Sequence, residues 1–238
     1  MNPIIVALDV SDVEKAITLS KILANAVGAI KIGSELFTTA GPEIVRTIRS
    51  AGAQVFLDLK YHDIPNTVAK AVSAAVKLDV QMITVHTSGG RIMLQEAEKA
   101  AQETARSLNR PPPMVLGVTV LTSLDNQELE ELGISANAED HVERLAKLAV
   151  ASGLRGLVCS PLEIRRLRSV LPTDIKLVTP GIRAETDVVH DQKRTLTPSE
   201  AIKAGADWLV IGRPIYGAND PFHAAQAILA SLNRDKIC

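Results

Sequence analysis

Eight short apolar runs rich in β-branched residues, each followed by a longer amphipathic stretch, constrain the fold of this chain more than any other feature. The runs lie at Ile4–Val10, Ala29–Ser34, Gln54–Lys60, Met82–Thr87, Met114–Leu121, Gly156–Ser160, Lys176–Pro180 and Trp208–Gly212. Between them fall helical patterns at Val13–Ala26, Pro42–Ser50, Pro65–Leu78, Arg91–Leu108, Ala138–Ala151, Leu162–Val170 and Pro198–Ala204, with a last one at Pro221–Leu232. Strands apolar on both faces and alternating with helices imply a parallel sheet covered on both sides. Eight such units in 238 residues fit a closed (β/α)8 TIM barrel, an α/β fold. A doubly wound open sheet is the alternative. Gly52, Gly153 and Gly205 follow helical patterns, as helix C-terminal caps do. The triplet Pro111-Pro112-Pro113 only separates a helix from a strand, so residues 1–238 read as one domain.

Composition narrows the function. A formal net charge of −1 offers no general attraction for nucleic acid or acidic membranes. Aromatics at 3% leave few platforms on which bases could stack, so no nucleic-acid partner is expected. No apolar run approaches the length needed to cross a bilayer. The start of the chain lacks the basic and small-residue pattern of a secretory leader, which makes a cytoplasmic protein the default. Cys159 and Cys238 form no disulfide framework, and Cys159 reads as a small core side chain.

Charges break the apolar pattern where strands should run out into loops. Residues two apart on a strand share a face, so Asp58 and Lys60 project together, with Asp63 a short turn beyond. Asp9 ends the first strand and Lys31 lies inside the second. The first three strands of a barrel are neighbours, which gives alternating signs in the order Asp9, Lys31, Asp58, Lys60. One such pair reads most simply as an ion pair that fixes packing. Four charges on the C-terminal rim, where barrel active sites sit, point to chemistry.

A second cluster suits a phosphate. Thr179-Pro180-Gly181-Ile182-Arg183 follows the seventh strand and Val210-Ile211-Gly212-Arg213-Pro214 the eighth, the two places where barrels often hold phosphate. Arg213 can fork onto phosphate oxygens. Two long connections, Thr122 to Asn137 and the polar Gly181 to Thr197, belong to the same rim. The five histidines are scattered without metal-ligand spacing, and neither a dinucleotide fingerprint nor a phosphate-binding P-loop occurs. His62 reads as structural, and His86 as a rim residue that orients the network.

Together these segments resemble the orotidine 5′-phosphate decarboxylase family. Ala7-Leu8-Asp9, Ile30-Lys31-Ile32-Gly33, Asp58-Leu59-Lys60-Tyr61-His62-Asp63-Ile64-Pro65-Asn66-Thr67, Leu121-Thr122-Ser123, Thr179 to Arg183, Asp191-Gln192-Lys193-Arg194 and Ile211 to Ile215 run in family order over nearly the whole chain. The D-x-K-x-x-D-I-P-N-T run is highly specific; Tyr61 stands where the family more often has Phe. The length leaves no room for the phosphoribosyltransferase fused to some relatives, so the free-standing, bacterial-type form is expected. The resemblance implies conversion of orotidine 5′-phosphate to uridine 5′-phosphate and CO2 in pyrimidine synthesis, without metal or organic cofactor. It implies a catalytic set of Lys60, Asp58, Asp63 and Lys31, with Lys60 the proton donor and Asp58 facing the departing carboxylate. Asp9, Lys31 and Thr67 would hold the ribose, and Thr122 and Ser123 would face the pyrimidine. Pro180, Arg183, Gln192, Gly212 and Arg213 would surround the phosphate. Asp63 and Thr67 would reach into the partner's site of a homodimer. A magnesium-dependent sugar-phosphate lyase with a similar D-x-K-x-x-D core, and a phosphate-ligand sensor without catalysis, are the rival readings.

Overall fold

The computed structural model describes residues 2–135, 137–182 and 196–234. Eight parallel strands close on themselves in sequence order: β1 (Ile4–Ala7), β2 (Ala29–Gly33), β3 (Val55–Tyr61), β4 (Met82–His86), β5 (Met114–Val118), β6 (Gly156–Val158), β7 (Lys176–Thr179) and β8 (Trp208–Ile211). β8 returns to pair with β1, with Val210 beside Ile5, so the sheet has no free edge. The open-sheet alternative is thereby excluded.

Every apolar strand run has two faces to fill, and the parity of each strand divides the buried residues into two cores. Ile5, Ala7, Ala29, Phe56, Met82, Leu116, Val178, Trp208 and Val210 pack inside the barrel. Their neighbours in sequence, among them Ile4, Val6, Ile30, Ile32, Val55 and Leu57, pack outward against the helices. With only three phenylalanines, two tyrosines and one tryptophan in the chain, aliphatic residues carry nearly all of this burial. Parity then fixes the charges. Asp9, Lys31 and Asp58 each stand two residues beyond an inward apolar residue, namely Ala7, Ala29 and Phe56. The interior is therefore apolar towards the strand starts and charged towards the strand ends.

The helices start and stop where local chemistry dictates. The Asp12 side chain caps Val13–Leu23 by accepting from the Lys15 N–H, and Thr197 with Glu200 forms a capping box for Pro198–Ala204. Gly52, Gly153 and Gly205 lie at φ of +88°, +95° and +112°, the left-handed region that glycine enters without strain. Three short helices depart from the sequence reading: Ser34–Ala40, Asn126–Glu131 and Arg213–Tyr216. The second lies inside the connection read as a loop from Thr122 to Asn137. Its signal was present, because Asp125 and Glu128 form a capping box around it and Leu129 buries its apolar side. Among the described residues no helix is long and apolar enough to cross a membrane.

Candidate active site

The rim charges meet as the strand parity requires. Lys31 Nζ lies 3.0 Å from Asp9 Oδ1 and 3.7 Å from Asp58 Oδ2. Lys60 Nζ lies 2.9 Å from both Asp58 oxygens. The series Asp9, Lys31, Asp58, Lys60 is thus a continuous chain of alternating sign. Lys31 and Asp58 are each only 9% exposed, so neither could stand unpaired without a penalty of several kcal/mol, about 3–5 when one partner of a buried pair is removed.

The backbone beneath this chain is irregular. β3 pairs with β4 at Leu57 beside Ile83 and again at Tyr61 beside Val85. Three residues of β3 (Asp58, Leu59 and Lys60) thus oppose the single residue Thr84. The two extra residues are an even number, so side-chain parity survives the bulge. Leu59 and Tyr61 still pack outward, while Asp58 and Lys60 both line the cavity. Lys60 takes φ +49°, a left-handed conformation that costs a non-glycine residue about 1–3 kcal/mol. Its N–H donates to Thr84 Oγ1 at 2.9 Å, and the Thr84 hydroxyl donates to Asp58 Oδ1 at 2.9 Å.

These groups border a cavity of ≈ 270 Å³ at the C-terminal end of the barrel. Asp9, Lys31, Asp58 and Lys60 line one side, and Pro180, Gly181, Gly212 and Arg213 line it from the loops after β7 and β8. Thr122 joins them from the segment after β5, with Val118, Val158 and Ile182 among the apolar walls. Gly181 sits at φ +80°, where a side chain would be strained. Gly212 does not (φ −102°), and a Cβ there would meet nothing nearer than the Tyr216 ring at 3.4 Å.

Other site residues named from the sequence fall elsewhere. Asp63 is exposed, its carboxylate accepts the Ile64 N–H at 2.6 Å, and among the described residues it makes no ion pair with Lys60. Within one chain, then, the Lys60 ammonium is not held between Asp58 and Asp63. Thr67 is exposed in the first turn of the helix Pro65–Lys77, and Ser123 is exposed beside Thr122 without lining the cavity. Arg183 and Gln192 lie outside the described residues, as does most of the polar connection to which they belong; Ile182 and Leu196 bridge its two ends.

Burial shifts the pKa of three residues at or beside the site. Burial lowers the His86 pKa, and the neighbouring His62 and Lys60 push it further down against a smaller opposing pull from Asp58. The His86 and His62 rings sit 5.5 Å apart. Burial raises the Tyr61 pKa. Cys159 reaches the cavity wall but is 1% exposed, and burial pushes its thiol far above the ordinary range, in keeping with a core role rather than a nucleophile. Among the described residues no three His, Cys, Asp or Glu side chains converge as a metal-binding group. Sequence reasoning missed Thr84. The signal was a lone hydroxyl residue on the inward face of an apolar strand.

A closed barrel with a charged cavity at the C-terminal ends of its strands is the architecture of an enzyme. Residues 2–228 match the family model described as "Orotidine 5'-phosphate decarboxylase / HUMPS family". The chain is 51% identical to orotidine 5′-phosphate decarboxylase of Opitutus terrae over 229 residues, 96% of this chain and 97% of that one. It is 49% identical to the protein of the same name from Moorella thermoacetica, across 99% and 94% of the two chains. The crystal structure of orotidine 5′-phosphate decarboxylase from Lactobacillus acidophilus superposes with a TM-score of 0.87 at 36% identity, covering 98% of this chain and 100% of that one. The chain belongs to this family and is, with these relatives, a decarboxylase, a carboxy-lyase by class.

Proposed function

We propose that this protein converts orotidine 5′-phosphate to uridine 5′-phosphate and CO2 in de novo pyrimidine synthesis. The observation that carries the reading is the chain of alternating charges from Asp9 to Lys60 at the cavity mouth. Breaking the bond from C6 to the carboxylate releases CO2 and leaves its electron pair in the ring plane, where the π-system delocalises it poorly. The reaction needs no organic cofactor if a fixed cation faces that carbon. Lys60 supplies it: its ammonium stabilises the developing carbanion and then donates a proton to C6. Asp58 stands beside the departing carboxylate, and repulsion between the two raises the ground state. Lys31 ties Asp58 to Asp9, and Lys31 and Asp9 bind ribose hydroxyls.

Phosphate falls to Gly212 and Arg213, with Arg183 and Gln192 from the connection after β7 and Pro180 at its base. Thr122 and Ser123 face the pyrimidine. Binding energy gathered there, far from C6, can be used to assemble the charged site. Asp63 and Thr67 are exposed on their own chain, which supports their serving the partner's cavity in a homodimer. Residues 1–238 act as one barrel domain in the cytoplasm, without nucleic-acid or membrane partners.

The test is loss of the orotidylate ultraviolet absorbance on adding the protein in excess EDTA. Turnover at full rate is expected. No turnover sinks the reading, and turnover abolished by EDTA transfers it to the metal-dependent lyase class.

A further inference from the structure

We propose that Thr84 is a positioning residue for Lys60, with its hydroxyl fixing both ends of that side chain at once; this rests on the decarboxylase reading above. The bulge in β3 sets two inward charges, Asp58 and Lys60, opposite the single β4 residue Thr84. It also strips the Lys60 N–H of a place in the ladder to β4. Thr84 Oγ1 accepts that N–H at 2.9 Å and donates its own O–H to Asp58 Oδ1, also at 2.9 Å. The same Asp58 oxygen receives Lys60 Nζ at 2.9 Å. A closed circuit results: Thr84 hydroxyl, Asp58 carboxylate, Lys60 ammonium, Lys60 backbone and back to Thr84.

A hydroxyl is suited to this place because it donates and accepts through one atom. Thr84 is fully buried, so no water can substitute freely for either bond. Valine has nearly the same shape and keeps the strand, yet offers neither bond. Loss of the circuit frees Lys60 to leave φ +49° and lets its ammonium move away from the place where charge develops. Thr84 touches no reacting atom in this account; it acts through Lys60 and Asp58.

The experiment compares Thr84→Val with Thr84→Ser in the full-length protein, measuring kcat, KM, the Kd for uridine 5′-monophosphate and Tm. We expect Thr84→Val to lower kcat about 10- to 100-fold, the equivalent of one buried hydrogen bond to a charged group. Product affinity should change less than about threefold, and Thr84→Ser should restore most of kcat. A Thr84→Val enzyme within twofold of wild type overturns the proposal. So does a Thr84→Ser enzyme as slow as Thr84→Val, because the methyl group would then be what matters. If Thr84→Val fails to fold, Thr84→Cys takes its place: a fall in kcat is expected, and an unchanged kcat overturns the proposal. Should wild type itself be inert towards orotidine 5′-phosphate, the functional reading fails separately. A crystal structure of the folded variant then decides the role of Thr84: Lys60 out of its left-handed conformation supports it, and an unmoved Lys60 ends it.

Discussion

The two ends of the barrel each hold a charge cluster, and they differ in where their hydrogen bonds go. At the start of the strands, Asp207 accepts from Arg168, from Lys176 Nζ at 3.0 Å and from the Leu177 N–H at 2.9 Å. Arg168 also donates to the carbonyls of Gly205 (2.8 Å) and Ile175 (2.7 Å). Arg49 does the same at the starts of β3 and β4, joining the Asp79 carboxylate to the Ala53 carbonyl. These clusters tie side chains to backbone and lie away from the cavity. At the strand ends, Lys60 Nζ contacts only Asp58 among the described residues, although an ammonium has three donors, and its backbone is held in a strained conformation. Charges spent on backbone groups hold the fold together; charges facing a cavity with donor capacity to spare are available to a substrate.

That contrast breaks most decisively at Lys60. Lys60→Ala should lower turnover by more than about 10³-fold while Tm holds and uridine 5′-monophosphate still binds, a loss in the range of a missing proton donor and electrostatic group. Near-normal turnover would remove Lys60 from its role. Mixing inactive Lys60→Ala and Asp63→Ala protomers should restore part of the activity, since one site per hybrid dimer keeps both side chains. No recovery despite proven subunit exchange would place Asp63 in its own chain's site.

The opposite end should answer in stability instead. Asp207→Ala removes the carboxylate partner of Arg168 and Lys176, leaving Arg168 only its two carbonyl acceptors, and takes the acceptor from the Leu177 N–H. We expect a loss of about 2–4 kcal/mol, a Tm lower by roughly 5–15 °C, and kcat per folded molecule within twofold of wild type. A large fall in kcat at unchanged Tm would erase the distinction between the two ends.

The smallest effect concerns acid. The His86 pKa is lowered in the fold, so between that value and the ordinary 6.5 the unfolded chain binds more protons than the native one. Stability should therefore be fully present above pH 6.5 and decline as pH falls below it. His141, also lowered by burial and by Arg144, adds to the same trend. His86→Asn should flatten part of the decline in urea midpoints between pH 7 and 5; an unchanged slope would mean His86 contributes nothing.

Much of this could be read from residues alone because it depends on local chemistry and parity. All eight strands lie within the apolar runs read from sequence or within one residue of them, since a buried parallel strand must be apolar on both faces. Asp9, Lys31 and Asp58 were legible as a group because each keeps the inward parity of its strand. Seven of the eight strands come out shorter than read, as at β1, which stops at Ala7 where the run continues to Val10, while β3 keeps its length one residue further on. Hydrophobicity marks burial, and burial continues past the last ladder hydrogen bond.

What sequence could not supply is register. Parity repeats every two residues, so a strand with two extra residues has the same inside and outside pattern as one without them. The bulge opposite Thr84, the left-handed Lys60 and the circuit through the Thr84 hydroxyl all depend on which residue of β4 meets which residue of β3. That choice is made only when the strands pair. The order of the residues decided which charges face inward; the closed sheet decided how near one another they stand.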